Sequence, residues 1–309
     1  MSSSPTPATA DELPAVLARI DDWPPDLVAV GVTDGSGTLA THGPVDELLP
    51  LASVTKPLAA FAVLLAVQDG ALHLDEPLGH GEVAPDATVR HLLAHASGLP
   101  PDPGGPIVVP ERKRIYSNWG FDVLGELVAE RTGRPFAEHL ALEVLEPLGM
   151  DASRLEGSPA YAGHGTVTDL LAFARELLDP RLLDLSLLAE ATAVAFPRLD
   201  GVLPGFGRHS PNDWGLGFEL KGAKQPHWTG RSLSPRTFGH FGRSGSFLWV
   251  DPTRELACVE LADRAFGPWA AEVWPAFSDA VVAAASGEPV ADHAGEDGRA
   301  AGAASAAGA

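Results

Sequence analysis

Hydrophobic and polar residues alternate with two different periods along the chain, and these periods predict its secondary structure. Between 12 and 23 the apolar residues lie three and four positions apart, which indicates an amphipathic helix. The apolar runs 27–33 and 38–41 flank a turn of sequence D-G-S-G, so they predict two strands joined by a hairpin. A longer apolar run from 54 to about 69 stops at a glycine and predicts a long helix.

Helical patterns and loops rich in Pro and Gly alternate in the middle of the chain, and β character returns after them. The pattern predicts helices over 120–132, 136–144 and 168–178, an irregular loop over 197–211, strands over 243–250 and 255–261, and a helix over about 269–285. Strands at both ends of the chain predict an α+β fold. We expect a mostly antiparallel sheet flanked by helices, because its connections are hairpins, and a largely helical inserted subdomain.

These elements predict one domain over residues 11–286. Its sheet subdomain would combine about 11–74 with 232–286, and its helical subdomain would span about 75–231. Residues 1–10 and the Ala-, Gly- and acid-rich segment 287–309 are predicted to be disordered.

Net charge and the distribution of apolar residues disfavour some classes of binding partner. The formal charge of −20 repels phosphate backbones, so nucleic-acid binding is not expected. The N-terminus lacks the basic and apolar regions of a secretory signal, and the apolar stretch 57–67 is too short to span a bilayer. We therefore expect a cytoplasmic enzyme without a membrane partner. The single cysteine, Cys258, lies in an apolar run and is expected to be a buried strand residue.

The first candidate for chemistry is the pair Ser53 and Lys56, at the start of the long apolar helix. Their spacing of three places both side chains on one helical face, so an amine could reach the hydroxyl. A serine needs a base within hydrogen-bond reach to become a nucleophile. Alone, a serine at a helix start followed by a lysine is common and indicates little.

The second candidate is Tyr116 with Asn118. A tyrosine beside a lysine ammonium is expected to ionise more easily and could act as a general base. If the segment is extended, Asn118 projects to the same side and could orient the lysine and bind a substrate carbonyl.

The third candidate is the glycine-rich segment around His240, Gly242 and Arg243. Glycines at a strand edge allow a ligand to approach the backbone closely. His240 could contact substrate or tune the tyrosine, although a lone histidine is more often structural.

The three elements occur in the order S-x-x-K, Y-x-N and H-x-G, and this order resembles the β-lactamase and penicillin-binding-protein superfamily. The similar branch contains class C β-lactamases, D-alanyl-D-alanine carboxypeptidases and related esterases. Residues 88–100, with the sequence T-V-R-H-L-L-A-H-A-S-G-L-P, resemble the family too, and the resemblance covers about 25–285.

The resemblance implies that Ser53 attacks a carbonyl and forms an acyl-enzyme while Lys56 and Tyr116 move the proton. It makes Tyr116 the expected base for the water of the second step, and Asn118 the residue that holds Lys56 and substrate. The backbone N–H groups of Ser53 and Arg243 would form the oxyanion hole. No cofactor is expected.

The family's lactamases and peptidases usually carry K-T-G where this chain has His240, Phe241 and Gly242. A neutral imidazole anchors a substrate carboxylate less well than a lysine does. The expected activity is therefore an esterase or amidase acting on small carbonyl substrates. A β-lactamase or D-alanyl-D-alanine carboxypeptidase is the alternative. A non-catalytic sensor that accepts an acyl group is a further one.

Two other enzyme classes are disfavoured. A Ser-His-Asp α/β-hydrolase needs a G-x-S-x-G turn, and the sequence has none. His91 and His95 have the i, i+4 spacing of a zinc site but lack the glutamate after the first histidine and an evident third ligand. We interpret both histidines as structural, with His95 and Ser97 capping the turn that follows, and expect no metal.

Overall fold

The computed structural model describes residues 12–78 and 86–286. The two terminal segments predicted to be disordered, 1–10 and 287–309, lie outside these residues. The helices are α1 (Glu12–Leu17), α2 (Thr55–Gln68), α3 (Val89–Leu93), α4 (Asn118–Thr132), α5 (Phe136–Leu140), α6 (Val167–Leu178), α7 (Leu185–Ala191) and α8 (Pro268–Ser286). The strands are β1 (Val28–Asp34), β2 (Thr38–His42), β3 (Leu49–Pro50), β4 (Arg154–Leu155), β5 (Gly163–Gly165), β6 (Gly201–Leu203), β7 (Gly207–His209), β8 (Glu219–Leu220), β9 (Phe238–Gly242), β10 (Ser246–Asp251) and β11 (Leu256–Ala262).

The main sheet joins the two ends of the chain. Its strand order is β2-β1-β11-β10-β9-β8, and every neighbouring pair whose register is given is antiparallel. Val28 pairs with Ala262 at one end of the β1–β11 ladder, more than two hundred residues away in sequence. The predicted α+β class and the antiparallel sheet built from distant segments are confirmed.

Alternate residues of each central strand enter two different cores, as the pleat of a strand requires. In β10, Phe247 and Trp249 face a core that contains Trp274 of α8. Leu248 and Val250 face the other core, which contains α2 and α6. The sheet is therefore buried on both faces, which explains why its central strands are almost uniformly apolar.

The segment 197–211 is not the irregular loop that its composition predicted, since it contains the hairpin β6–β7. The Arg114 N–H donates to the Asp200 carbonyl oxygen just before this hairpin. The buried guanidinium of Arg114 donates to the carbonyl oxygens of Ala94, Ala195, Phe196 and Asn212, so it joins the segments before and after the hairpin. No periodicity indicated this hairpin, because strands of three residues are too short to show a period.

The predicted strand over 243–250 was also wrong at its start. Residues 243–245 form a turn in which the Gly245 N–H donates to the Gly242 carbonyl oxygen, and the strand begins at Ser246. The preceding residues, which the prediction treated only as a strand edge, form β9.

The structure places β8, which lies in the predicted helical segment, at the edge of the main sheet. The predicted subdomain boundaries near 74 and 231 remain a prediction. Cys258 is fully buried in β11, as expected, and burial raises the pKa of its thiol. In the described part of the chain, no helix combines the length and apolar character that crossing a bilayer requires.

Candidate active site

Ser53 lies in a 3-10 turn, Ala52–Val54, that leads directly into α2. The residue before it, Ala52, has a φ of 45°, a left-handed conformation that costs energy for a residue with a Cβ. Ser53 is partly exposed and lines a cavity. The chain therefore turns sharply at this point and presents the serine hydroxyl to the cavity instead of to the core.

The side chain of Lys56 is completely buried one turn further along. Its Nζ donates to Asn118 Oδ1 over 2.8 Å and to the Ala160 carbonyl oxygen over 2.9 Å, and it lies 4.5 Å from the centre of the Tyr116 ring. Burial lowers the pKa of Lys56 to about 7, although negative charge on Asp122 and Asp102 opposes this shift. Near neutral pH, a large fraction of this amine is thus uncharged and able to accept a proton.

Tyr116 contacts the serine directly. Its hydroxyl donates to Ser53 Oγ over 2.7 Å. We expected the lysine to ease ionisation of the phenol, but this was wrong in direction. Loss of hydration raises the pKa of Tyr116 and outweighs the hydrogen bond with Ser53, so the phenol keeps its proton at neutral pH.

Asn118 reaches the lysine from a helix, whereas the prediction assumed an extended segment. It is the first residue of α4, and Ser117 caps that helix by accepting from the Gly120 N–H. While Asn118 Oδ1 accepts from Lys56, its Nδ2 donates to Asp102 Oδ1 over 3.3 Å. The side-chain amide therefore bridges an amine and a carboxylate, which fixes the orientation of its oxygen toward Lys56.

His95, which the sequence indicated only as a turn cap, packs against Tyr116 and is hydrogen-bonded to the residues on either side of it. Its carbonyl oxygen accepts from the Ile115 N–H over 3.0 Å and its Nδ1 accepts from the Ser117 N–H over 3.1 Å. Its buried ring lies 4.7 Å from the Tyr116 ring, centre to centre. Since these contacts join residues about twenty positions apart, the local sequence carried no signal for them.

His91 does not approach this site. Its Nδ1 accepts from the Thr88 N–H in a capping box at the start of α3, and its Nε2 contacts Glu111 over 3.2 Å. The structural role predicted for His91 is confirmed. Among residues 12–78 and 86–286, no group of His, Cys, Asp or Glu is arranged to hold a metal ion.

The third predicted element completes the cavity wall. His240 lies in β9, with its ring centre 5.7 Å from that of Tyr116. Its Nδ1 donates to the Phe241 carbonyl oxygen over 2.6 Å, which places the proton on Nδ1 because a carbonyl can only accept. Burial, together with the charge of Lys56, lowers the pKa of His240 to about 3. The imidazole is therefore neutral.

Gly242 ends β9 against the turn that carries the serine. A Cβ at this position would lie 2.5 Å from the Leu51 carbonyl oxygen and 3.3 Å from the Ala52 Cβ, so only glycine allows this approach. Arg243 follows on the cavity wall. The backbone of Gly242 thus packs against the turn that carries Ser53, and the oxyanion hole stays a prediction.

The cavity has a volume of about 770 Å³. Besides the predicted residues, its lining includes several that sequence reasoning missed, among them Asp102, Tyr161, Leu203, Trp214, Glu219 and Phe266. Much of the added surface is aromatic or aliphatic, and Leu203 comes from the hairpin β6–β7. No sequence pattern indicated these residues, because they come from loops and short strands scattered along the chain.

Glu219 in β8 lies behind the third element, opposite Gly239 of β9. Its buried carboxylate accepts from Lys224 Nζ, from His227 Nε2 over 2.9 Å and from Trp228 Nε1 over 2.8 Å. Burial alone would raise the pKa of Glu219, but the charges of His227 and Lys224 hold it well below its usual range.

Comparison with known proteins agrees with the resemblance. The family model described as Beta-lactamase matches residues 27–283. A beta-lactamase from Mycobacterium bovis, known from its crystal structure, is 49% identical with a TM-score of 0.84, over 87% of this chain and 98% of that one.

Two curated relatives match over shorter stretches. Esterase EstB from Burkholderia gladioli is 33% identical over 153 residues, which are 34% of this chain and 38% of that protein. Penicillin-binding protein 4* from Bacillus subtilis (strain 168) is 26% identical over 139 residues, which are 36% and 31% of the two chains. The chain thus spans about a third of the length of these two relatives.

Proposed function

The chain belongs to the beta-lactamase family, and from this premise we propose that it is a serine hydrolase that forms an acyl-enzyme at Ser53. The observation that carries the proposal is the convergence of three groups. The Tyr116 hydroxyl donates to Ser53 Oγ over 2.7 Å, and the buried amine of Lys56 lies against the same tyrosine. An alcohol and a proton donor thus line one cavity, and an amine that can act as a base lies buried against the donor.

Lys56 is the proposed base for acylation. A neutral amine has two N–H groups and one lone pair, and the structure supplies two acceptors, Asn118 Oδ1 and the Ala160 carbonyl oxygen. The lone pair is then available for the proton of Ser53 as its oxygen bonds to the substrate carbonyl carbon. The pKa of about 7 supports this role, because an effective general base has a pKa near the working pH.

Tyr116 is the proposed relay. Its raised pKa favours a phenol that donates a proton over a resting phenolate. It can pass its proton to the leaving group and regain one from the Lys56 ammonium, so the net proton moves from serine to leaving group. In the second step water attacks the acyl-enzyme and its proton returns along the same route. This replaces our expectation that Tyr116 is the base for water.

The backbone N–H groups of Ser53 and Arg243 are the proposed oxyanion donors. The close contact of Gly242 with the Leu51 carbonyl oxygen supports this placement. Donors of this kind typically contribute about 3–4 kcal/mol each to transition-state stabilisation.

The lining favours neutral esters or amides with an apolar acyl group. Leu203, Phe266 and Trp214 supply apolar surface, and a neutral His240 stands where related lactamases have a lysine. A substrate carboxylate would lack that cation. Arg243 also lines the cavity, so a β-lactam or a D-alanyl peptide whose carboxylate pairs with Arg243 is the second candidate.

The test compares p-nitrophenyl acetate and butyrate, a chromogenic cephalosporin and a D-alanyl dipeptide. We expect ester turnover by the wild type that vanishes in Ser53→Ala and persists in Ser186→Ala, a matched change at an exposed serine. Equal rates in wild type and Ser53→Ala would refute the nucleophile. Intact mass spectrometry separates a transient adduct, expected of an enzyme, from the persistent adduct of a sensor.

A further inference from the structure

Two carboxylates are linked to Lys56 through its two hydrogen-bond acceptors, and neither is itself hydrogen-bonded to the amine. Asp102 accepts from Asn118 Nδ2 over 3.3 Å, while Asn118 Oδ1 accepts from Lys56. We call this chain of contacts the Asp102 arm. It contains one neutral amide between the two charges.

The second chain of contacts, the Asp122 arm, starts one helical turn along α4 from Asn118. Asp122 accepts from the Ser158 hydroxyl, whose oxygen in turn accepts from the Ala160 N–H over 3.1 Å. The carbonyl oxygen of Ala160 accepts from Lys56. Because residues four apart lie on one face of a helix, α4 presents both Asn118 and Asp122 toward the lysine.

We propose that Asp102 and Asp122 are positioning residues that hold the Lys56 amine at the nucleophile and set how readily it accepts a proton. The inference rests on the proposed function, because it assigns Lys56 the role of base. Each carboxylate orders an acceptor of the lysine, so the two arms define the direction left for the lone pair. Neither carboxylate is required to touch substrate.

In the described part of the chain, Asp102 and Asp122 are the negatively charged neighbours of the Lys56 amine, because the other titratable groups near it are neutral. His95 and His240 face it from the loop after α3 and from β9, and burial lowers the pKa of both, so they are neutral. Tyr116 keeps its proton. Asp122 and Asp102 are also the charges that oppose the depression of the Lys56 pKa.

Neutral groups separate both carboxylates from the amine: the Asn118 amide in the Asp102 arm, and the Ser158 hydroxyl and Ala160 backbone in the Asp122 arm. This spacing decides what the carboxylates do. A carboxylate in contact would favour the ammonium strongly, whereas at longer range its attraction weakens and is screened. The two carboxylates therefore stabilise the ammonium only enough to keep the pKa of Lys56 near neutral pH. Removal of either charge should lower the pKa of Lys56.

The experiment uses Asp102→Asn, Asp122→Asn and the double variant, which preserve size and hydrogen-bonding oxygen. The matched control is Glu126→Gln, which removes an exposed carboxylate one turn further along α4. The pH midpoint of the acid limb of kcat/KM for p-nitrophenyl butyrate is measured. We expect each single variant to move it down by roughly half a pH unit and the double variant by about twice that, with no change in Glu126→Gln.

A second measurement does not depend on turnover. The chain has four lysines, so carbon-13 labelling at Cε, with Lys56→Met to assign the signal, follows the titration of Lys56 directly by NMR. The same downward shifts are expected. Unchanged midpoints in both variants, or shifts equal to that of Glu126→Gln, would overturn the inference. Lower Lys56 titration midpoints by NMR without any Ser53-dependent hydrolysis would instead support the roles of Asp102 and Asp122 and refute the proposed function.

Discussion

Two lysines are buried in this protein in different ways. Lys224 Nζ donates to three acceptors, namely the Glu219 carboxylate and the carbonyl oxygens of Asp213 and Leu220. Lys56 Nζ donates to two neutral acceptors, Asn118 Oδ1 and the Ala160 carbonyl oxygen. Burial lowers the pKa of both, but only Lys224 has a carboxylate in contact to oppose it.

The difference in acceptors separates a lysine with a structural charge, Lys224, from the lysine proposed as a base, Lys56. Three acceptors, one of them charged, match the three N–H groups of an ammonium, so the surroundings of Lys224 select the charged form. Two neutral acceptors match the neutral amine, so Lys56 retains a lone pair. We therefore expect the number and charge of the acceptors, and not burial alone, to distinguish the two lysines.

The largest expected effect is that of replacing Lys56, which tests the comparison of the two buried lysines directly. Replacement by Met removes the base, so we expect Lys56→Met to lower kcat for p-nitrophenyl butyrate by about a thousandfold or more. Lys224→Met, to the extent that it folds, should retain kcat within about tenfold. Steady-state kinetics at pH 8 measures both, and a Lys56→Met enzyme with near wild-type kcat would contradict the assignment.

The unfolding free energy should respond in the opposite order, with a larger loss in Lys224→Met than in Lys56→Met. Lys224→Met leaves the Glu219 carboxylate buried without its lysine, which costs about 3–5 kcal/mol of unfolding free energy. Lys56→Met loses two hydrogen bonds but also a costly buried amine, and we expect a change within about 2 kcal/mol. Urea unfolding followed by tryptophan fluorescence measures both. Adding Glu219→Gln to Lys224→Met should recover part of the loss, and no recovery would contradict the pairing.

The pH dependence sharpens the comparison. The Lys56 pKa of about 7 is depressed, and in the proposed mechanism the neutral form is the active one. We therefore expect kcat/KM to fall about tenfold per pH unit below pH 7 and to level off above it. A circular dichroism spectrum that does not change over the same range would show that the fall is not unfolding. A flat profile from pH 5 to 8 would exclude Lys56 as the base.

The smallest effect concerns the support of Tyr116. In His95→Asn, the amide oxygen can replace Nδ1 as acceptor for the Ser117 N–H, and asparagine tolerates the φ of 55° at this position. In His95→Phe, the ring remains but the acceptor is lost. We expect kcat to fall about tenfold in His95→Phe and less in His95→Asn, with KM unchanged. A larger loss in His95→Asn than in His95→Phe would show that the ring, and not the hydrogen bond, positions the tyrosine.

The site shows where prediction from sequence succeeds. Ser53 and Lys56 were predicted as neighbours because three residues on a helix are close whatever the rest of the fold does. Tyr116, Asn118 and His240 were identified by motif order and resemblance, since no local pattern shows that they meet. Their roles remain predictions that the experiments above test.

Other features were beyond any local pattern. The contacts of His95 with Ser117 and Tyr116, and the link from Asp122 through Ser158 to Ala160, join residues twenty or more positions apart. The direction of the Tyr116 pKa was predicted wrongly because charge proximity can be inferred from sequence, whereas loss of hydration depends on what surrounds the group.

The sequence by itself determined the main helices and strands, the class of the fold and the proximity of Ser53 and Lys56, because periodicity and close spacing are local properties. Only the tertiary structure decided the protonation state of each group and the apolar lining of the cavity. Both depend on burial and on acceptors brought from distant segments, and these exist only once the chain has folded.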